Sequence, residues 1–341
     1  MSDLFTQIAD NRPVRALENR VVIVDIGNGT REDIADALSL ISLCGPKAVG
    51  VDINFADPGQ NDEYLIESLR ANPNVILPLG VKQISGSNNF EIEDKPFFYD
   101  QEPDFEYGIV NLPLKVNKGT IREYAIDFKT DEGVFPSFSV ALAEKMDPDA
   151  VKRLKERGVE TGITSYHSRE FITLNLNELE ENAEDLNDKI VVLGALEESS
   201  DMHATPVKSH VSGVMLHAHA ISTVLDGTWF HKVPKIFDYV LAALLCYCIM
   251  LVYFGYNSNF RGIVLRIIQA ILVFLAVRIG YSLFVDHNVI FDLSYTVLII
   301  AFGLFAADIW KGVEALWDIC SRKLENLDST TVITQTEKQL C

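Results

Sequence analysis

Residues 186–227 read LNDKIVVLGALEESSDMHATPVKSHVSGVMLHAHAISTVLDG and join a short apolar run, a polar loop and a helical segment that begins near Gly213. The run Lys189–Leu196, KIVVLGAL, is typical of a central strand that is covered on both faces of a sheet. In open α/β sheets, ligands bind outside the carboxyl ends of such strands. Residues with carboxylate, hydroxyl or imidazole side chains follow this strand in the loop and the helix: Asp201, His203, Thr205, His217 and His219.

The beginning of the chain alternates predicted strands with predicted helices. A strand over Arg20–Ile26 is followed by a helix over Arg31–Leu43 and by a second strand over Lys47–Phe55. This order, with short turns, predicts a right-handed crossover and parallel pairing of the two strands. Asp25 and Asp52 would then end neighbouring strands.

Later segments continue this alternation. Strands are predicted over 74–81, 108–112, 121–128 and 171–176, and helices over 62–71, 136–145 and 147–158. Residues 82–107 contain Gly, Asn, Ser, Pro and acidic residues without a sustained period, which predicts a long surface excursion. The pattern as a whole predicts an α/β fold with a mainly parallel or mixed sheet flanked by helices.

The formal charge of −19 lies almost entirely in the first part of the chain. Residues 236–310 have three arginines against four aspartates, and the remainder has four basic against five acidic residues, which leaves −17 for residues 1–235. Phosphate backbones repel such a domain, so no nucleic-acid partner is expected. The five cysteines do not form a disulfide pattern.

Three apolar segments, about 236–256, 262–285 and 289–310, predict an all-α transmembrane region of three helices. Basic residues flank the first link and the end of the last span, whereas the link at 286–288 has none. This bias predicts a cytoplasmic tail at 311–341 and a domain outside the membrane.

An arginine within the second apolar segment needs a partner or a route to the membrane surface. Arg278 and two aspartates on the neighbouring spans, Asp238 and Asp292, are predicted to lie at similar depths near the outer surface of the membrane. Because an unpaired charge in a bilayer is costly, we expect these three residues to form a buried ion-pair network. The alternative is that Arg278 extends to the membrane surface.

Five segments in order resemble the extracellular sensory domain of the CHASE type 2 class. They are IVDIGNG at 23–29, GPKAVGVDINFAD at 45–57, GTIREYAIDF at 119–128, FPSFSVALAEK at 135–145, and LNDKIVVLG with Asp201, Thr205, Pro206 and SGVMLHAHAISTVLDG at 186–227. The resemblance implies a sensor domain over 20–231, ahead of the membrane helices. It also implies a transmembrane helix before the domain, so residues 1–19 are expected to follow a segment that is missing from this chain; the alternative is a domain that stays in the cytosol.

The candidate ligand-binding residues are those at the carboxyl edge of the predicted sheet: Asp25, Asp52, Asp201, His203, Thr205 and His217. Asp25 and Asp52 could hold a cation or a ligand, or each could cap a helix or turn. The aspartate and histidines of the later loop resemble a metal set by residue type, but His217 and His219 do not share a helix face. The resemblance implies that Asp201 and Thr205 shape the loop, and we predict neither a metal nor a cofactor.

The resemblance implies a bacterial, multi-pass protein of the cytoplasmic membrane that binds an unknown ligand outside the cytoplasm. Family members often carry an output domain after the membrane helices; the tail here is too short for one, so we expect a protein partner or a homo-oligomer. A structural or assembly subunit of an envelope complex is the alternative function. Gly27-x-Gly29 is followed by Glu32 in place of a third glycine, and no catalytic motif is present. A metal-dependent hydrolase at the Asp201 loop is therefore the weakest alternative.

Overall fold

The computed structural model describes residues 2–10, 16–72, 74–112, 119–166, 169–197, 201–227, 229–255 and 261–339. The chain divides into two compact units, Asp3–Phe230 and a second unit from His231 onward that also includes Met1–Ser2. The first predicted link runs over 257–261, and its residues 257–260 lie outside the described residues, as does 256, the last residue of the first predicted span.

The first unit alternates strands and helices along most of its length. Its helices are α1 (Ser2–Asp10), α2 (Arg31–Leu43), α3 (Asp62–Ala71), α4 (Phe138–Met146), α5 (Pro148–Glu156) and α6 (Gly213–Asp226). Its strands are β1 (Ala16–Asp25), β2 (Ala48–Val51), β3 (Val75–Gln83), β4 (Phe90–Asp94), β5 (Glu106–Ile109), β6 (Glu123–Ala125), β7 (Asp127–Lys129), β8 (Val134–Pro136), β9 (Thr161–Ile163), β10 (Arg169–Asn175), β11 (Ile190–Gly194), β12 (Met202–His203) and β13 (Val211–Ser212).

The main sheet has the strand order β10-β1-β11-β2-β3-β4, and β5 pairs with β3. All of these pairings are parallel except that of β3 with β4. The predicted mixed, mainly parallel sheet is therefore confirmed. β11 lies inside the sheet, and all five of its residues are buried, as the apolar run predicted.

Helices cover both faces of the sheet because successive strand residues point to opposite sides. Val21 and Ile23 of β1 pack in the hydrophobic cluster that includes α4, α5 and α6. Val22 and Val24 pack in the cluster that includes α2 and α3. The strands therefore lie between two helical layers, which is why their sequences are nearly continuously apolar.

The predicted pairing of the first two strands is wrong. β11 lies between β1 and β2, with Val22 opposite Val191 and Val191 opposite Val49. A crossover between consecutive strands leaves room for a later strand, and β11 fills that position. Asp25 and Asp52 consequently end strands that are separated by β11.

The predicted surface excursion at 82–107 is also wrong in part. It contains β4 and the beginning of β5, and Phe98 within it is fully buried. Phe98 lies in an aromatic group with Phe97 and Phe105, at ring-centroid distances of 5.0 and 5.9 Å. Irregular backbone buries this group, so periodicity could not reveal it.

From Asp3 onward, α1 is part of the first unit. Phe5 of α1 is buried, Asp3 forms an ion pair with Arg122, and Gln7 Nε2 donates to the Pro206 carbonyl at 2.8 Å. The predicted domain boundary at residue 20 falls inside β1.

The second unit contains α7 (Lys235–Gly255), α8 (Arg261–His287), α9 (Ser294–Gln339) and the short parallel strands β14 (His231–Lys232) and β15 (Val289–Ile290). Lys235–Val252 and Val264–His287 are long and apolar enough to cross a membrane. Ser294–Gly303 and Asp308–Arg322, bent by 42°, form a third candidate if they are one span. The third predicted span began at 289, but that residue belongs to β15, and α9 begins at Ser294.

Candidate functional site

The carboxyl end of β11 is surrounded by several of the predicted site residues. Asp25 Oδ1 accepts hydrogen bonds from the backbone of Gly27 and of Leu196, both at 3.1 Å. Asp25 therefore closes its own turn and holds the segment that leaves β11. The backbone of Asp52 donates to the Leu193 carbonyl at 2.8 Å, which places Asp52 on the other side of the same strand.

Asp201 caps the helix that follows the polar loop. Its Oδ2 accepts a hydrogen bond from the backbone of Gly213 at 2.9 Å, and its Oδ1 lies 3.0 Å from His203 Nε2. A carboxylate is favourable here because the first N–H groups of a helix lack intrahelical acceptors and carry positive potential. A Cβ on Gly213 would lie 2.2 Å from Asp201 Oδ2, so this contact requires glycine.

Thr205 shapes the loop between β12 and β13. Its Oγ1 accepts from the backbone N–H of Lys208 and donates to the Lys208 carbonyl, both at 3.0 Å. The backbone N–H of Thr205 donates to the same carbonyl at 2.8 Å. Pro206 in this turn receives the hydrogen bond from Gln7 of α1. The turn is therefore fixed from within and from the N-terminal helix.

The two histidines of α6 have separate surroundings, as their spacing predicted. His217 Nδ1 lies 2.9 Å from Ser139 Oγ in the core. Burial lowers the pKa of His217 to about 4, which the charge of Asp201 only partly opposes, so the imidazole is neutral near pH 7. The His219 ring packs edge-on against Tyr166 and Phe171, with centroid distances of 5.2 and 4.9 Å.

The histidines and Asp201 do not converge on one point. Over the described ranges, no three His, Cys, Asp or Glu side chains come together in an arrangement that could hold a metal ion. The side chains that resemble a metal set by residue type therefore do not form a coordinating set within those ranges.

A cavity of about 460 Å³ lies beside α6 and the loop that Thr205 shapes. Apolar side chains form one part of its lining: Phe171, Leu196, Met202, Val207, Val211 and Met215. Polar and charged side chains form the rest: Tyr166, Arg169, Glu170, Thr205, Lys208, His210, Ser212 and His219. A volume of this size is typical of small-molecule sites.

Of the predicted ligand-binding residues, only Thr205 lines this cavity. Asp201 and His203 hold the loop beside it, and Asp25 holds Leu196, which lines it. His217 faces the core instead. The residues that sequence reasoning missed include Phe171 of the edge strand β10 and Met215 of α6.

Arg169, at the cavity wall, belongs to an ion network at the edge of the sheet. Glu18 accepts from Arg20 Nε and Nη2 at 2.8 and 2.6 Å, and Arg20 Nη2 lies 2.6 Å from Asp226 Oδ1. Arg169 pairs with Asp226, and its Nη1 lies 3.5 Å from Glu18 Oε2. Burial favours a higher pKa for Glu18, but its hydrogen bonds with Arg20 and the charge of Arg169 hold that pKa below its ordinary value. The network joins β1, β10 and the last residue of α6.

A second groove, of about 720 Å³, lies at the carboxyl ends of β1 and β10. Asp25, Asp33, Asp36 and Glu180 give it an acidic lining. Asp52 is not among its lining residues, so the structure does not bring the predicted Asp25–Asp52 pair together here. Asp33 already accepts a hydrogen bond from the backbone of Thr30 at 2.7 Å as part of the α2 cap.

The predicted ion-pair network of the second unit is not formed. Asp238 is buried and accepts from Thr296 Oγ1 at 2.7 Å. Asp292 accepts hydrogen bonds from the backbone and the hydroxyl of Ser294 at the beginning of α9. Arg278 is exposed, and within the described part of the chain no carboxylate lies within 4 Å of its guanidinium. The two aspartates instead serve the unpaired N–H groups at the end of a helix.

Other polar side chains join α8 to α9. Arg266 pairs with Asp308, and Gln269 Nε2 donates to the carbonyls of Ile300 and Ala301. Exposed large apolar side chains lie along α7, α8 and α9, among them Leu244, Phe274 and Phe302. Polar groups that pair between helices and apolar groups that face outward are typical of membrane bundles.

Comparison with known proteins shows the family of this chain. No curated protein and no solved structure matches it. The family model for the CHASE2 domain matches residues 3–253, which cover most of the chain and include α1 as well as most of α7. The match confirms the resemblance carried by the motifs around β1, β2, α4 and β11. The chain belongs to the CHASE2 domain family.

Proposed function

We propose that this chain is a membrane-anchored sensory protein of a bacterial cytoplasmic membrane, with its α/β domain outside the cytoplasm. The CHASE2 family is a family of extracellular sensory domains, which supports a sensory role. The two or three helices that are apolar enough to cross a membrane support anchoring. In this proposal the domain binds a small molecule in the cavity beside α6, and the chain performs no reaction of its own.

The connection between that cavity and the membrane helices carries the proposal. α6 supplies Ser212, its N-cap residue, and Met215 and His219 to the cavity lining. The same helix ends at Asp226, and α7 begins at Lys235, so only residues 227–234 separate the two helices along the chain. A ligand that binds more tightly to one position of α6 than to another increases the population of that position. The segment that follows α6 leads directly into α7.

The signal then passes to a partner through α9 or through a second copy of the chain. α9 continues to Gln339, well beyond the candidate third span, which ends at Arg322. The last turns of that candidate span, next to this extension, expose large apolar side chains, including Leu316, Trp317 and Ile319. They offer contact area for another helix, in the manner of helix-in-groove recognition.

The ligand-binding part of the proposal is tested by mass spectrometry of the small molecules that the protein retains. The full chain and a Met215→Trp variant, whose larger side chain fills the cavity, are purified from native membranes in mild detergent and then denatured. We expect a small molecule that the unaltered chain releases and the variant does not. Val134→Trp, at an exposed position of β8, is the control and keeps the unaltered profile.

Identical profiles for all three proteins would contradict a ligand in this cavity. Stable co-purification of a large envelope complex with all three would favour the alternative, a subunit that uses the domain for docking.

A further inference from the structure

The charged part of the cavity lining is arranged asymmetrically. Lys208 and His210 lie on the loop between β12 and β13 and are exposed. No carboxylate in the described ranges lies within 4 Å of the Lys208 ammonium, whereas the loop backbone around it is fixed by Thr205. This loop therefore presents an exposed lysine from a fixed backbone position, on a chain whose formal charge is −19.

The arginine of the lining, Arg169, is already paired, and other lining residues supply hydroxyl groups. The two guanidinium groups of Arg20 and Arg169 balance the carboxylates of Glu18 and Asp226. Tyr166 is buried, and burial raises the pKa of its hydroxyl well above the ordinary value, so the phenol stays protonated. Tyr166 and Ser212 contribute hydroxyl groups to the lining, whereas the hydroxyl of Thr205 is bonded to the Lys208 backbone.

Other side chains of the lining are apolar. Phe171, Leu196, Met202 and Met215 give the cavity apolar surface that suits a hydrocarbon or aromatic group. Methionine side chains adapt to ligands of irregular shape and make favourable contacts with aromatic rings. The cavity lining thus combines apolar side chains with an exposed lysine and with hydrogen-bonding groups.

We propose that the cavity binds a small organic anion, a carboxylate with an apolar or aromatic tail, whose charged end lies at Lys208 and His210. This inference rests on the proposed ligand-binding function and adds the chemical class. Glu170 is the one carboxylate among the described lining residues, and it opposes such a ligand. We therefore expect Lys208 to raise and Glu170 to lower the affinity for an anionic ligand, so substitutions of the two residues should change that affinity in opposite directions.

The test uses fluorine NMR on the full chain in nanodiscs, with 4-(trifluoromethyl)benzoate as the probe and 4-(trifluoromethyl)benzamide as its neutral partner. We expect the acid to bind about tenfold more tightly than the amide, since a charge-assisted hydrogen bond contributes about 1.4 kcal/mol or more. Lys208→Gln is expected to weaken binding of the acid by about fivefold to tenfold and to leave binding of the amide unchanged. Glu170→Gln is expected to bind the acid as tightly as the unaltered chain or more tightly.

Met215→Trp separates the cavity from the bilayer, because it should abolish binding of either probe at this site. Equal binding of acid and amide, with both lost in Met215→Trp, would overturn the anionic class but leave the ligand cavity in place. No saturable binding of the acid would overturn the inference together with the proposed ligand site. Weakening by Glu170→Gln as strong as that by Lys208→Gln would also overturn it, because a structural effect and not charge would then explain both.

Discussion

Asp238 of α7 caps the beginning of α9 through Thr296. One carboxylate oxygen accepts from the Thr296 backbone N–H at 3.1 Å and from its hydroxyl at 2.7 Å, and the other accepts from the Tyr295 backbone at 3.0 Å. The aspartate is only 2% exposed. A capping residue usually lies on the helix that it caps; here it lies on a different helix, and so it joins α7 to α9.

The first prediction concerns this cap. Asp238→Ala removes three hydrogen bonds and leaves the backbone N–H groups of Tyr295 and the buried Thr296 without this acceptor, so we expect a loss of about 2 kcal/mol or more in the stability of the helix pair. Thr296→Val removes only the hydroxyl contact and should cost about 1 kcal/mol. Thermal unfolding of the detergent-solubilised chain measures both.

Arg278→Leu is the matched variant for the discarded ion-pair hypothesis. Because Arg278 is exposed, we expect its replacement to leave the unfolding midpoint unchanged or to raise it. A loss of stability in Arg278→Leu as large as that in Asp238→Ala would mean that the two residues act together after all.

The second prediction concerns the Asp201 cap. Asp201→Ala frees the backbone N–H of Gly213 and should destabilise the first turn of α6 by about 1 kcal/mol. Faster hydrogen exchange of peptides that span 201–216 would report this change, while peptides from α2 keep their protection. Asp104→Ala, at an exposed aspartate, is the control. Unchanged exchange at 201–216 would contradict a capping role.

The third prediction concerns the ion network at the sheet edge. Glu18→Gln leaves the guanidinium of Arg20 with fewer partners and disturbs Arg169, so we expect a loss of about 3 kcal/mol in the stability of the domain. Glu67→Gln, at an exposed position, should change it by less than about 0.5 kcal/mol. Hydrogen exchange of the slowest β11 amides measures the difference. Equal effects of the two substitutions would contradict a structural role for the network.

The fourth prediction is a pH dependence that arises from His217. Its pKa falls from 6.5 to about 4 on burial, so the unfolded chain binds more protons than the folded one between these values. The contribution of His217 to the free energy of unfolding is therefore fully present above pH 6.5 and is lost as the pH falls toward 4.

Lowering the pH from 7 to 4.5 should cost the unaltered domain about 2 kcal/mol more than it costs a His217→Gln variant, which lacks the imidazole at position 217. The same β11 amides, after correction for the intrinsic pH dependence of exchange, provide the measurement. A pH profile identical in the two proteins would show that folding does not lower the pKa of this imidazole.

Local sequence predicted those elements whose surroundings are local or uniform. The apolar run at 190–194 predicted a central strand because a strand buried on both faces needs apolar residues at every position. The pairing of β1 with β11 joins residues that are about 170 positions apart, and no local pattern carries that information. For the same reason, sequence reasoning placed Asp25 and Asp52 on neighbouring strands.

The candidate site divides in the same way. Thr205 and Asp201 were identified because they follow the end of a buried strand in the sequence. Phe171 was missed because β10 reaches the cavity only through its pairing with β1. Asp238 was recognised as a special residue, but whether a buried carboxylate meets a guanidinium or a helix end depends on which element packs beside it.

The central claim is that the α/β domain lies outside the cytoplasm and the end of α9 inside, and cysteine labelling in spheroplasts of the native host tests it most directly. One cysteine-free variant of the natively encoded protein carries only Ser329→Cys, on α9 beyond the candidate third span, and a second carries only Ser85→Cys, in the exposed loop between β3 and β4. A membrane-impermeant maleimide should label Ser85→Cys in intact spheroplasts and should label Ser329→Cys only after permeabilisation. Labelling of Ser329→Cys in intact spheroplasts, with Ser85→Cys protected until permeabilisation, would contradict the account and place the domain in the cytoplasm.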